Sequence, residues 1–455
     1  MTPGARVQAA IELLGDVDRH TAPADRTVAA FFRARRYIGG GDRRAVADRV
    51  YAALRRRAAL DWWIERAGRP PADPARARIV AGLALLDGWP AARIAGAFDG
   101  GRHAPPPLDA AETALAATLA GQALDHPAQP ERIRLEVPAW LEPALRAAFA
   151  DRFAAELAAL LVEAPLDLRI NTLKATRDEA VAALAADSIA AAPTPLSPLA
   201  LRVHGRPPLA ATAAFRDGLV EVQDEGSQLV ALLVDARPGM RVCDFCAGAG
   251  GKTLALAAAM RNKGHVVACD VLRGRIERSS VRLRRAGVHN VERRGLTSER
   301  DPWIKRHAGG FDRVLVDVPC TGIGAWRRNP DARWRFGAHD LAELIETQRR
   351  ILESACRLVR PGGRLVYATC SLLPAENADQ VAWFLDRALQ FAVRPIGEVW
   401  AAAVGGECPA EGPFLSLTPA RHGTDGFFAA VLERRPALAA AKPPSAEPGP
   451  PEPAA

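Results

Sequence analysis

From about residue 220 to residue 435 the sequence predicts an α/β fold, a doubly wound parallel sheet, behind a small α+β region and an all-helical N-terminal region. Three observations carry this. Short apolar runs, "RVCD", "GHVVACD", "RVLVDV" and "GGRLVYAT", alternate with stretches of helical periodicity. The first run enters its helix through a glycine-rich turn, "CAGAGGKT", and the second ends on an acid, Asp270. At 455 residues the chain is also too long for one ordinary domain.

Taken in order, residues 1–136 read as helices throughout. "RVQAAIELLGDV", "RRAVADRVYAALRRRAALDWWIERAG", "ARARIVAGLALLDGW" and "DAAETALAATLAG" repeat apolar residues every three or four positions, with Gly and Pro between them. Their arginines, among them Arg33, Arg35, Arg36, Arg55, Arg56 and Arg57, suit either an RNA contact or a solvated helix face, and the solvated face is the more ordinary reading. Residues 137–219 open with helical "PAWLEPALRAAFADRFAAELAALL", then alternate as a strand in "LDLRINTLK", then return to helix in "TRDEAVAALAAD". Residues 220–435 form the doubly wound unit. Residues 436–455, rich in Pro and Ala, hold little to bury and are expected to be disordered.

Composition narrows the class. Hydrophobic residues at 49% and charged residues at 25% are globular proportions, and no uninterrupted apolar run of about 18 residues exists to cross a bilayer. Charges interrupt what would be the apolar core of an N-terminal signal, so a cytoplasmic protein with no membrane partner is expected. Seven cysteines scattered along the chain do not make a disulfide framework. The net charge of +8 favours a polyanionic partner, nucleic acid first. A monomer is expected.

A glycine turn between strand and helix lets a ligand approach backbone and aims helix N-terminal amides at it. Here the turn is Cys246, Ala247, Gly248, Ala249, Gly250, Gly251 and Lys252. A mononucleotide phosphate loop needs glycine where Cys246 stands, so that reading is disfavoured. Asp270, at the tip of the next strand, is placed to accept both hydroxyls of a ribose. Together these are the pattern for an adenosine-containing cofactor. "CDFC" reads neither as a redox pair nor as half a zinc site, because Cys243 falls inside the strand and no second ligand pair is at hand; no metal is expected.

Two further strands end on thiols: "RVLVDVPCTGIG" on Cys320 and "GGRLVYATCSLLPAEN" on Cys370. With strands starting at Arg241, His265, Val291, Arg313 and Arg364, both thiols emerge at the sheet edge that carries the glycine turn, where such sheets bind ligands. Here the chain resembles the RNA cytosine-5 methyltransferases of the RsmB/NOP2/Sun family. The likeness lies in "DFCAGAGGKT", "DVPCTGIGAWRRNPDARW", "YATCSLLPAEN", "HGTDGFFAAVL" and the small-domain strand "RINTLK", over residues 137–434. Residues 1–130 are similar, more loosely, to the NusB-type helical domain of the bacterial 16S ribosomal RNA enzymes.

The resemblance implies a Rossmann-like methyltransferase sheet, S-adenosyl-L-methionine as cofactor and RNA, preferably 16S rRNA, as partner. C5 of cytosine is a poor nucleophile until a thiolate adds at C6. Strand order alone does not choose between the thiols; by resemblance Cys370 attacks and Cys320 assists removal of the C5 proton. Asp317 is expected to meet N3 and the amino group of the base, sharing a proton in a shielded pocket, and also to border the cofactor. Lys252 is expected at the active site or the cofactor carboxylate. "WRRNPDARWR", Trp326 to Arg335, interleaves aromatics with arginines as a loop that stacks bases and holds phosphates. Two departures stand out: Ala249 replaces a common proline, and Leu296 sits where relatives commonly place an acid near adenine, leaving backbone or Glu299 for that contact. Competing readings are a noncatalytic RNA-binding assembly factor, a methyltransferase acting on tRNA, and a DNA cytosine methyltransferase, which would use the "PC" thiol alone.

Overall fold

The computed structural model describes residues 1–436 apart from residues 21, 69 and 70, so the expectation of a disordered tail lies outside the described residues. The N-terminal region is helical, from Pro3–Arg19 to Ala110–Leu119, around one apolar core that includes Leu13, Val50, Leu60, Val80 and Leu115. Its helices carry the start signals their sequences offer. Asp73 accepts from the amides of Ala75 and Arg76, and Asp109 with Glu112 closes a reciprocal capping box.

The small sheet consists of β1 (Leu166–Ile170), β2 (Ala191–Pro193), β3 (Ala200–Val203) and β4 (Val220–Val222), antiparallel in the order β2-β3-β1-β4. Asn171, at the end of β1, ties this sheet to the larger unit: its Nδ2 donates to the carbonyls of Gly218 and Ala286 at 2.8 and 2.9 Å.

The large sheet holds β5 (Arg241–Asp244), β6 (His265–Asp270), β7 (Val291–Gly295), β8 (Phe311–Asp317), β9 (Val359–Thr369), β10 (Phe391–Arg394), β11 (Leu415–Leu417) and β12 (Phe427–Arg434). Its order is β10-β12-β9-β8-β5-β6-β7, with β11 on β12; β5 to β9 are parallel and the C-terminal strands antiparallel. In order of appearance the five parallel strands lie 3-2-1-4-5, as expected of a doubly wound sheet. Both faces are covered: Val314 and Val316 of β8 enter one core and Leu315 the other, which is why these strands read as continuous apolar runs. The fifth strand starts at Val359, ahead of the expected Arg364, with an irregular register opposite Phe311 and Arg313.

Helices Glu142–Phe149 and Phe153–Ala159 do not pack on the small sheet. Leu145, Phe149 and Leu157 share a core with Ile323, Trp326 and Leu373, which belong to the loops that follow β8 and β9. No helix among the described residues is long and apolar enough to cross a membrane.

Candidate active site

A cavity of about 550 Å³ opens at the carboxyl ends of β5, β6, β8 and β9. It is lined by Cys246, Ala247, Gly248, Ala249, Gly251, Lys252, Asp270, Leu296, Asp317, Cys320 and Cys370, so eleven of the twelve residues singled out from sequence meet there. Gly250 is the exception and corrects the expectation. It is the left-handed N-cap of helix Gly251–Ala259, with φ +81°, and a Cβ on it would stand 3.0 Å from that of Ser279, so its smallness serves helix packing instead of the cavity wall.

The turn is built by backbone. Phe245 N donates to Leu315 O at 2.9 Å and Ala247 N to Cys269 O at 2.8 Å, carrying the chain across the strand ends before Gly248 turns it with φ +56°. Asp270 is buried, and its oxygens accept from Gly248 N at 2.8 Å and Leu272 N at 2.7 Å. Each oxygen keeps a free lone pair, so the carboxylate is fixed in place yet able to accept two hydroxyls. Leu296 is buried in the wall, its amide bonded to Asp270 O at 3.0 Å; Glu299 also lines the cavity and pairs with Arg350 at 2.9 Å.

The two thiols face each other, Cys320 Sγ to Cys370 Sγ at 3.5 Å. That contact and burial push the Cys320 thiol well above its ordinary range. Lys252 Nζ lies 2.7 Å from Asp317 Oδ2 and 5.2 Å from the Phe427 ring centroid. Burial opposes the charge on Lys252, but Asp317, Cys370 and Asp244 outweigh it and the ammonium's pKa is raised. Nothing in the sequence joins these two side chains; the fold does.

Two residues escape sequence reading. Asp244, at the end of β5, is 1% exposed and borders the cavity; Thr253 Oγ1 donates to its Oδ2 at 2.7 Å while Oδ1 has no partner. Burial pushes this carboxyl up to about 7. The available signal is an acid just ahead of the glycine turn, in "CDFC". Glu376, at the end of "LLPAE", is wholly buried between the two thiol loops.

"WRRNPDARWR" corrects a second expectation. Trp326 is 1% exposed, with the Arg333 guanidinium 4.8 Å from its ring centroid. Arg327 pairs with Asp425 at 2.6 Å, Arg328 with Asp224 at 2.8 Å, and Arg333 donates to Leu160 O at 2.7 Å. Three other parts of the chain converge on this segment, so these cations meet carboxylates and carbonyls of the protein, and Trp326 is core. It is a junction, not a base-stacking loop. Cys243 is buried in its strand as expected, and Cys269 is likewise a buried packing residue.

Comparisons with known proteins agree with this geometry. The family described as "16S rRNA methyltransferase RsmB/F" matches residues 231–433, and the RsmF/B-like ferredoxin-like domain matches residues 137–210. "Ribosomal RNA small subunit methyltransferase B" of Sodalis glossinidius is 37% identical over 308 residues, 67% of each chain, and that of Photorhabdus laumondii is 32% identical over 298 residues, 66% of each. The matched stretch covers less than two thirds of several of these relatives, 60% of one from Synechocystis and 48% of a putative methyltransferase of Mycobacterium tuberculosis. Among solved structures, PH0851 superposes with a TM-score of 0.76 at 26% identity over 95% of this chain and 99% of that one. A methyltransferase homolog from Pyrococcus horikoshii gives 0.57 at 28% identity over 67% and 97%. On these matches and the sheet order described above, the chain belongs to the RsmB/F family of 16S rRNA methyltransferases.

Proposed function

We propose that the chain transfers a methyl group from S-adenosyl-L-methionine to C5 of a cytidine in RNA, 16S rRNA for preference, through a covalent bond between Cys370 and C6. The observation that carries this is the pair of thiols 3.5 Å apart on the same cavity as the glycine turn and Asp317.

The cavity fits the cofactor on its own terms. Asp244 Oδ1, buried and without a partner, is an acceptor suited to an ammonium, and Asp270 has two lone pairs for a ribose diol. When bound, S-adenosyl-L-methionine supplies an electrophilic methyl group. The protein's part is to make C5 a nucleophile. The Cys370 thiolate forms an S–C6 bond, and the displaced π electrons move toward C5 and N3 while Asp317, held by Lys252, accepts from the amino group and, in its protonated form, donates to N3. After methylation the C5 proton leaves with the help of Cys320, its electron pair re-forms the C5–C6 double bond, and the S–C6 electrons return to Cys370.

An RNA partner is supported by charge and its placement. Helix Arg273–Ala286 presents Arg273, Arg275, Arg278 and Arg284 to solvent beside exposed Arg293 of β7, and Arg275 also lines the cavity. Arg282 and Arg285 of that helix pair with Glu221, whereas no carboxylate pairs with those five among the described residues. Unpaired guanidinium groups on one exposed face, one of them at the cavity, suit phosphates. In the N-terminal region Arg33 and Arg36 are exposed next to Tyr37, itself 78% exposed, and we assign residues 1–136 an RNA contact on that basis.

Bisulfite sequencing of total RNA from cells with and without the gene tests the reading. One cytidine of 16S rRNA losing its protection is expected. Loss at a transfer RNA site would keep the chemistry and move the substrate, and no change in any RNA would contradict the reaction.

A further inference from the structure

The carboxylate of Glu376 has no exposure and, among the described residues, no lysine or arginine pairs with it. A buried carboxyl group of this kind depends on hydrogen bonds, and it has four. Oε1 accepts from Thr321 N at 2.9 Å and from Gln348 Nε2 at 3.0 Å. Oε2 accepts from the hydroxyls of Thr321 and Ser371, which themselves stand 3.3 Å apart. Thr321 is the residue after Cys320, and Ser371 the residue after Cys370. Gln348 also donates to Pro319 O at 3.1 Å, gripping the residue before Cys320, and Tyr367 donates to Glu376 O at 2.6 Å. The two thiols leave neighbouring strands on separate loops, and one carboxylate bonds the residue that follows each.

We propose that Glu376 is a positioning residue that sets the separation of Cys320 and Cys370 by clamping Thr321 to Ser371. It touches neither base nor cofactor; it acts through the loops. The inference rests on the two-thiol reading above for its functional meaning, but the spacing is measurable without RNA. A single group fixing both loops needs four polar contacts, and here a carboxylate takes an amide, a side-chain amide and two hydroxyls together. Glutamine can stand in for it, because its oxygen takes the two N–H donors while its NH₂ donates to hydroxyls that rotate to accept. Alanine cannot.

The test is the rate at which diamide links Cys320 to Cys370 in the full-length protein, read by mass spectrometry of the joined peptide. The two thiol hydrogens and two electrons pass to the diazene and a disulfide forms, so the rate reports how often the sulfurs meet in bonding geometry. Glu376→Gln is expected to link at the wild-type rate. Glu376→Ala should link at least about tenfold more slowly and lose about a hundredfold in kcat, with KM for RNA and for cofactor unchanged, as displacement of a reacting group by about 1 Å does. If Glu376→Ala does not fold, Ser371→Ala removes one arm of the clamp and should still slow linking. Wild-type linking rates in Glu376→Ala, or in Ser371→Ala where the first does not fold, overturn the clamp. Slowed linking in a protein that methylates no cytidine would leave the clamp standing and remove the proposed reaction instead.

Discussion

In the proposed function Asp244 and Asp270 divide the cofactor's polar groups between them, and each assignment predicts its own signature. The raised pKa of Asp244 means that the folded protein keeps a proton there which the unfolded chain releases near the ordinary value of 3.8. Its contribution to stability is therefore full below that value and is lost as pH rises toward about 7. Asp244→Asn should remove this slope: in urea unfolding between pH 4 and 8, wild type should lose stability relative to the variant as pH rises, and parallel curves would contradict the assignment. An ammonium bound at Oδ1 favours the carboxylate, so cofactor affinity should rise through neutral pH in wild type and stay level in Asp244→Asn. Asp270→Ala removes charge-assisted bonds worth about 1.5–3 kcal/mol and should weaken cofactor binding about 10- to 150-fold by calorimetric titration. At this scale the sequence is legible at the ends of three strands: Asp270, Asp317, Cys320 and Cys370 all reach the cavity. Asp244 and Glu376 escape it because burial, not residue type, gives them their roles, and burial depends on neighbours far along the chain.

Among the elements, the loop after β8 and the turn before β12 meet with no space to spare. Gly324 and Gly426 lie backbone to backbone: Gly426 N donates to Gly324 O at 2.9 Å, and a Cβ on Gly324 would stand 2.2 Å from Gly426 O. Gly324 N in turn donates to Cys370 O at 2.9 Å. Gly324→Ala should force these segments apart at a cost of about 1–3 kcal/mol, seen as a lower denaturation midpoint together with reduced methyl transfer. Unchanged stability would show that the two segments separate freely. The helix Arg273–Ala286 offers a test of another kind. Arg278→Ala, Arg284→Ala and Arg293→Ala together should lower RNA affinity and reduce the slope of log K against log salt by about 0.7–0.9 for each phosphate no longer neutralised, with cofactor affinity unchanged. The parallel strands can be read in advance because burial on both faces makes them uniformly apolar. The segment from Trp326 to Arg335 cannot: its arginines look like any basic loop until Asp224 and Asp425, about a hundred residues away on either side, come to meet them.

In the whole molecule that segment joins the N-terminal helices to the catalytic unit. Ala24 N donates to Asp331 at 3.1 Å and Arg55 Nη1 to Arg327 O at 2.9 Å, while the buried Glu136 carboxylate accepts from the amides of Ala58 and Ala59 at 2.7 and 3.1 Å. Removing residues 1–130 strips Glu136 and Asp331 of these donors. The shortened protein should melt at a lower temperature, bind RNA more weakly and show a flatter salt dependence, yet still transfer methyl groups to saturating RNA, since the cavity residues all lie beyond residue 220. Complete loss of transfer by a folded truncation would show that the helical region completes the site. The two-thiol reaction itself is tested most directly by a denaturing gel of full-length Cys320→Ala incubated with substrate RNA and S-adenosyl-L-methionine. The account predicts a slow-moving covalent protein–RNA band, because Cys370 still attacks C6 while release stalls, and no such band in the double variant lacking Cys370. A band formed by Cys370→Ala, with none from Cys320→Ala, would contradict it.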